Sequence, residues 1–132
     1  MALKLIRLEL ARTPEFPEGS QKHGYEFVAP LRADGHIDRD EWQRYRQACS
    51  VLRFWDDADD EHGVLIRGPG EHWAFSYAVG DADDEPIQRF ASHAFREGEY
   101  VTITEHDGVA RPFRVVWLMD PPALKGGAAS GR

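Results

Sequence analysis

The sequence predicts a mainly β (α+β) domain, an antiparallel barrel-like or strongly curved sheet of about seven strands with one α-helix near residues 39–49. Three observations carry this expectation. Residues 98–105 and 112–119 read as a β-hairpin around a His-Asp-Gly turn. Further segments alternate with period two, and turn signals recur roughly every eight to twelve residues between them. A single segment combines a helix start signal with helical spacing. A two-sheet sandwich is the alternative architecture.

Taken in order, residues 2–11 are apolar on both faces, with Leu3 and Leu5 against Ile6, Leu8 and Leu10, as in a strand buried on both sides or bulged near Leu5. The Pro- and Gly-rich stretch 13–20 is a loop. Tyr25, Phe27, Ala29 and Leu31 alternate as a second strand. Asp38 is placed to cap the helix, with Glu41 at its third position and Ile37 and Trp42 as a hydrophobic staple. Trp42, Tyr45 and Cys49 share one face of that helix.

Residues 51–55, 64–67 and 73–79 supply the third to fifth strands. A four-residue turn between the last two would set Ile66 opposite Trp73 and Val64 opposite Phe75. Residues 86–95 fit either period, and their spacing favours a short helix followed by extended chain. In the closing hairpin, burial selects an odd-length loop, with Ile103 opposite Phe113, Val101 opposite Val115 and an ion pair between Glu105 and Arg111. Residues 1–120 are expected to form one domain and 121–132, rich in Gly and Ala, a flexible tail.

The chain has 132 residues, enough for one core that buries about two-thirds of the surface of the unfolded chain. Its net charge of −7 repels phosphate backbones and anionic membranes, which argues against nucleic-acid and membrane partners. Cys49 is alone, so no internal disulfide or Cys-based zinc site is available. The first residues lack the apolar run of a signal peptide or membrane span, and a cytoplasmic protein is expected.

Motifs for chemistry are sparse. The segment Asp34–Glu41 resembles the second half of an EF-hand loop, yet Pro30 and Arg32 stand where further oxygen ligands belong. The pentapeptide Asp-Ala-Asp-Asp-Glu occurs at 57–61 and again at 81–85. If the two loops met, Asp57, Asp59, Asp81 and Asp83, with His62, would hold a divalent cation, although solvated acidic turns explain the same residues. The six histidines show neither His-x-His nor His-Glu-x-x-His spacing. His93 stands apart because it precedes the closing hairpin and would line a cavity mouth. There is no nucleophile elbow and no phosphate-binding glycine loop.

The aromatic residues Trp73, Phe75, Tyr77, Phe113 and Trp117 should converge on the interior, which is either filled or left as a pocket. In a hollow barrel Trp73 and Tyr77 would contact a ligand, and Arg53, Arg67 or Arg114 at the mouth would select an anionic one.

The runs Tyr-Glu-Phe-Val-Ala-Pro-Leu-Arg-Ala-Asp-Gly-His-Ile-Asp (25–38) and Ser-His-Ala-Phe-Arg-Glu-Gly-Glu-Tyr-Val-Thr-Ile (92–103) resemble a group of small uncharacterised bacterial proteins, a resemblance that covers most of the chain and brings no activity with it. The closing hairpin is also similar to the final strands of the RNA-binding PUA and ASCH barrels. The acidic charge points away from RNA, and no RNA-contacting residue is carried over. The expected function is therefore a non-catalytic, small-ligand or protein-binding barrel that requires no cofactor. The alternative is a metal-dependent enzyme using the acidic loops 56–62 and 81–85. Homodimerisation through an uncovered strand edge is compatible with both.

Overall fold

A computed structural model describes residues 2–67, 73–77, 85–88 and 94–121, without the side chains of Ala2, Ile87 and Gln88. Eight strands run in sequence order: β1 (Ala2–Leu10), β2 (Ser20–Leu31), β3 (Ser50–Trp55), β4 (Ala58–Arg67), β5 (Trp73–Ser76), β6 (Glu85–Gln88), β7 (Tyr100–Thr104) and β8 (Ala110–Met119). Each pairs antiparallel with the next, and β8 pairs with β1, so the sheet closes into an up-and-down barrel. A closed barrel has no free sheet edge. No described helix is long and apolar enough to cross a membrane.

The eighth strand lies where the spacing favoured a helix. Glu85–Gln88 pairs with β5 through Phe75 and Ala74 and with β7 through Ile103 and Thr102, so tertiary pairing makes the start of that segment a strand, while residues 89–93 of the expected helix lie outside the described residues. Strand β4 begins at Ala58, directly after an Asp56-Asp57 turn, so Asp59 to His62 lie on a strand and not in an acidic loop. Strand propensity is poor there, but the pairing of Arg53 with Glu61 across β3 and β4 supports it.

Two registers differ from expectation. Leu65 stands opposite Phe75 and Arg67 opposite Trp73, one step from the predicted pairing. Because strand side chains alternate, that step exchanges the faces, and Leu65 is 1% exposed where Val64 is 40% exposed. In the closing hairpin the loop is odd-length, Glu105–Val109, but Val101 faces Phe113 and Ile103 faces Arg111, two steps from the predicted register. Two steps preserve the faces, so the predicted apolar residues remain inside.

Strand β1 is unbulged at Leu5 and continuous against β2 from Ala2 to Glu9. Ile6, Leu8 and Leu10 point inward. On the β8 side, Leu8 pairs with Val115 and Arg7 with Trp117, which leaves Val116 as a bulge. The extra residue reverses the alternation and places Trp117 on the outer face beside Arg7, so it is absent from the core.

The helix α1 spans Arg39–Arg44 and is shorter than predicted, passing at Tyr45 into a single 3-10 turn at Arg46–Ala48. Asp38 caps it by accepting from the Glu41 N–H at 3.1 Å. The tighter turn brings buried Cys49 onto β4, where its carbonyl accepts from Leu65 N–H at 2.9 Å. Trp42 closes the barrel end: its indole N–H donates to the Leu65 carbonyl at 3.0 Å, and its ring meets Trp73 edge-on.

Side chains fill the interior. At the helix end these are Trp42, Trp73, Phe27, Phe75, Phe95 and Val51. The opposite end, where β1–β2, β3–β4, β5–β6 and β7–β8 are connected, is closed by charged and hydroxylic groups.

Candidate functional site

On β2 to β8 the inward face continues to the second end with polar residues, while β1 ends there on Leu10. On β2 the alternation Phe27, Tyr25, His23 ends in a bulge, since Glu9 pairs with Gly24 but Leu10 with Ser20. Gly24 permits the close approach: a Cβ there would run into the Leu8 carbonyl oxygen. Strand β3 supplies Arg53 and Trp55, and β4 supplies Glu61. Tyr77 follows β5, Glu85 begins β6, Glu105 follows β7, and β8 supplies Arg111.

Two carboxyls organise this layer. Glu105 is 3% exposed and accepts from four donors. His23 Nε2 lies 2.8 Å, Tyr25 Oη 2.8 Å and Arg53 Nη2 3.2 Å from its Oε2, and Arg111 Nη1 lies 2.9 Å from its Oε1. Glu85 is fully buried, with the Tyr25 and Tyr77 hydroxyls 2.9 and 2.8 Å from Oε1, and the backbone N–H of His106 3.0 Å from Oε2. Arg53 Nε faces the same Oε2 at 3.4 Å.

The environments push the two acids apart. Burial raises Glu85 above the usual carboxylate range, and the Tyr77 hydrogen bond and the Arg53 charge only partly offset it. Burial also acts on Glu105, but the hydrogen bonds from His23 and Tyr25 and the charge of Arg53 outweigh it and hold this carboxyl low. Burial depresses His23, which therefore donates to Glu105 as a neutral ring. Its Nδ1 is buried with no hydrogen-bond partner among the described residues. Burial, reinforced by Glu85, keeps both tyrosine hydroxyls protonated.

Above this layer lies a shallow depression of about 420 Å³ lined by Glu15, Arg53, Trp55, His106, Asp107 and Arg111. Arg111 forms two forks, Nε and Nη2 with Glu15 at 3.0 and 3.2 Å, and Nη1 and Nη2 with Asp107 at 3.1 and 2.9 Å. With Glu105, these bonds occupy every N–H of its guanidinium. Arg53 directs Nη1 to Glu61 at 3.3 Å and its other nitrogens inward. What solvent meets at the rim is therefore acceptors, Glu15, Glu61 and Asp107, around the half-buried Trp55 ring.

Of the ligand residues expected from sequence, the barrel brings together Arg53 and Tyr77, both on Glu85. Trp73 is core at the other end, with the Arg67 guanidinium 5.0 Å over its ring. Arg114 is exposed on the outer wall, beside Arg12 and Tyr100 in a groove near the β1–β2 connection. His93 lies outside the described residues, as do Asp81 and Asp83. Asp57, Asp59 and His62 are exposed on the β3–β4 hairpin. Among the described residues no group of three or more His, Cys, Asp or Glu side chains is arranged to hold a metal ion. Cys49 is buried, and burial pushes its thiol up to about 11.

Sequence reasoning had found the Glu105–Arg111 pair but not the rest of the polar layer. A signal existed for Tyr25 and Glu105, which continue the inward alternation of Phe27 and Ile103. Glu85 was concealed in a repeat read as a solvated turn. His23 lies two residues before the apolar alternation that begins at Tyr25 and carries no apolar signal of its own.

The chain was compared with family models, with curated proteins and with solved structures, and it matches none of the three.

Proposed function

We propose that this protein is a non-catalytic binding barrel whose polar mouth takes a small organic cation, a primary amine or quaternary ammonium compound. The observation that carries this reading is the saturation of the arginines. Arg111 has no N–H left for an anion, while three carboxylates and an indole ring face the solvent. An ammonium group over Trp55 would gain a cation–π contact and acceptors on either side, and the net charge of −7 would favour its approach. The lone thiol and the resemblance noted above support reading it as a cytoplasmic bacterial protein.

The test is a thermal-shift and calorimetric titration of chelator-treated protein with mono- and diamines, choline, acetate, phosphate and the divalent cations Ca²⁺, Mg²⁺, Mn²⁺ and Zn²⁺. A ligand at 100 times its dissociation constant adds about 2.7 kcal/mol, a shift of several degrees. The expected result is saturable stabilisation by amines that disappears in Trp55→Ala. Stabilisation by anions alone would overturn the reading. Stabilisation by a divalent cation alone, lost in Asp57→Asn/Asp59→Asn, would replace it with the metal-dependent enzyme. A flat response would replace it with a protein partner.

A further inference from the structure

We propose that Glu85 and Glu105, joined through the Tyr25 hydroxyl, form a proton-binding site in which Glu85 holds a proton while Glu105 carries the negative charge. This goes beyond the ligand reading and needs no molecule at the mouth.

The argument is a count of protons. Tyr25 Oη lies 2.9 Å from Glu85 Oε1 and 2.8 Å from Glu105 Oε2, and both distances are hydrogen bonds. A phenol carries one proton and donates one hydrogen bond. Two ionised carboxylates would leave one contact as lone pair against lone pair, inside a layer from which water is excluded. One extra proton resolves the conflict. Glu105 Oε2 already receives His23 Nε2 and Arg53 Nη2, and its Oε1 receives Arg111, so Glu105 accepts and the Tyr25 proton points to it. Glu85 then donates its own proton from Oε1 to a lone pair of Tyr25 Oη, whose oxygen the Arg53 guanidinium also approaches. The Tyr77 hydroxyl and the His106 N–H still find acceptors on Glu85, because a protonated carboxyl retains them.

The surrounding charges agree with that placement. Among the described residues the cations facing the pair are Arg53 from β3 and Arg111 from β8. Arg111 touches only Glu105, and Arg53 approaches Glu105 at 3.2 Å but Glu85 at 3.4 Å. The neutral donors are His23 and Tyr25 from β2 and Tyr77 after β5. Among the described residues the remaining titratable groups are His106, whose Nδ1 is 3.6 Å from Glu85 Oε2, and Glu61, which pairs with His106 and Arg53 at the rim. Burial moves Glu85 in the direction that holds a proton, and the hydrogen bonds on Glu105 move it in the other. Raising the pH strips the proton from Glu85 and sets two charges on one hydroxyl, which loosens the polar end where β6 enters it.

The test is a pH titration of the glutamate side-chain carboxyl carbons by NMR in uniformly labelled wild-type protein, with the Glu85 resonance assigned by its absence in Glu85→Gln or through bonds in the wild type. The expected result is that Glu85 titrates above the exposed glutamates and Glu105 below them. Glu85→Gln, an uncharged mimic of the protonated acid, should keep the melting temperature of the wild type at pH values below the Glu85 titration. It should also lose the decline that the wild type shows as pH rises through the Glu85 titration. Titration of both acids with the exposed glutamates would overturn the proposal, as would a high-titrating Glu105 or an alkaline decline that persists unchanged in Glu85→Gln.

Discussion

The two ends of the barrel are closed by opposite means. At the helix end Trp42, Trp73, Phe27, Phe75 and Phe95 fill the space with rings, and their attraction is non-directional and scales with area. At the other end Glu85, Glu105, Arg53, Arg111, His23 and Tyr25 close it through fixed donors and acceptors, each of which must be matched. The first kind of closure tolerates volume-conserving apolar substitutions and carries no titrating partner. The second tolerates neither a lost partner nor a changed charge, and that intolerance is what makes it chemically addressable.

Breaking a single partner should show the contrast most strongly. Glu105→Gln keeps the shape but leaves Arg111 and Arg53 without the anion between them, and we expect a loss of about 3–5 kcal/mol in urea unfolding. The matching change at the helix end, Leu65→Met, conserves volume and should cost less than about 1.5 kcal/mol. If the two costs prove equal, the ends do not differ as described. Tyr77→Phe removes one of several bonds to Glu85 and should cost about 1 kcal/mol by the same measurement. Lys4→Ala, at an exposed ion pair with Asp120, should cost about 1 kcal/mol or less and serves as the baseline.

The pH profile separates the ends without mutation. His23 is depressed by burial, so the folded state binds fewer protons than the unfolded one just below the ordinary imidazole range, and stability is lost as pH falls from there. Glu105 is held low, so its stabilisation is complete above the ordinary carboxyl range and is lost as pH falls through its depressed value. Glu85 is raised and has the opposite sign: its contribution is complete below the ordinary carboxyl value and is lost as pH rises through the raised one. Melting temperature against pH should therefore form a dome. His23→Gln should flatten the acid limb in the imidazole range, and Leu65→Met should lower the whole curve without altering its shape.

Much of the helix end was legible because apolar alternation is a local signal. The cap at Asp38, the burial of Ile37 and Trp42, and the inward residues Phe27 and Phe75 follow from spacing alone, as do Val101 and Phe113 farther along the barrel. Where the structure departed from expectation, the cause was non-local. The one-step register that buries Leu65 is selected by what β5 meets on its other side, and the Val116 bulge that expels Trp117 exists only because β8 closes on β1. Glu85 reads as part of an acidic turn until β6 is placed between β5 and β7.

By itself the sequence determined a mainly β, antiparallel, barrel-like chain with one capped helix, since period and turn chemistry are written in neighbouring residues. Only the tertiary structure decided that the barrel closes with eight strands and that its polar end is a single network. His23, Tyr25, Glu85, Glu105 and Arg111 stand up to 88 positions apart in the chain, and beyond the Glu105–Arg111 pair of the closing hairpin no local pattern joins them into one network. They meet because closure turns the same end of every strand toward one axis, where each buried charge requires a partner.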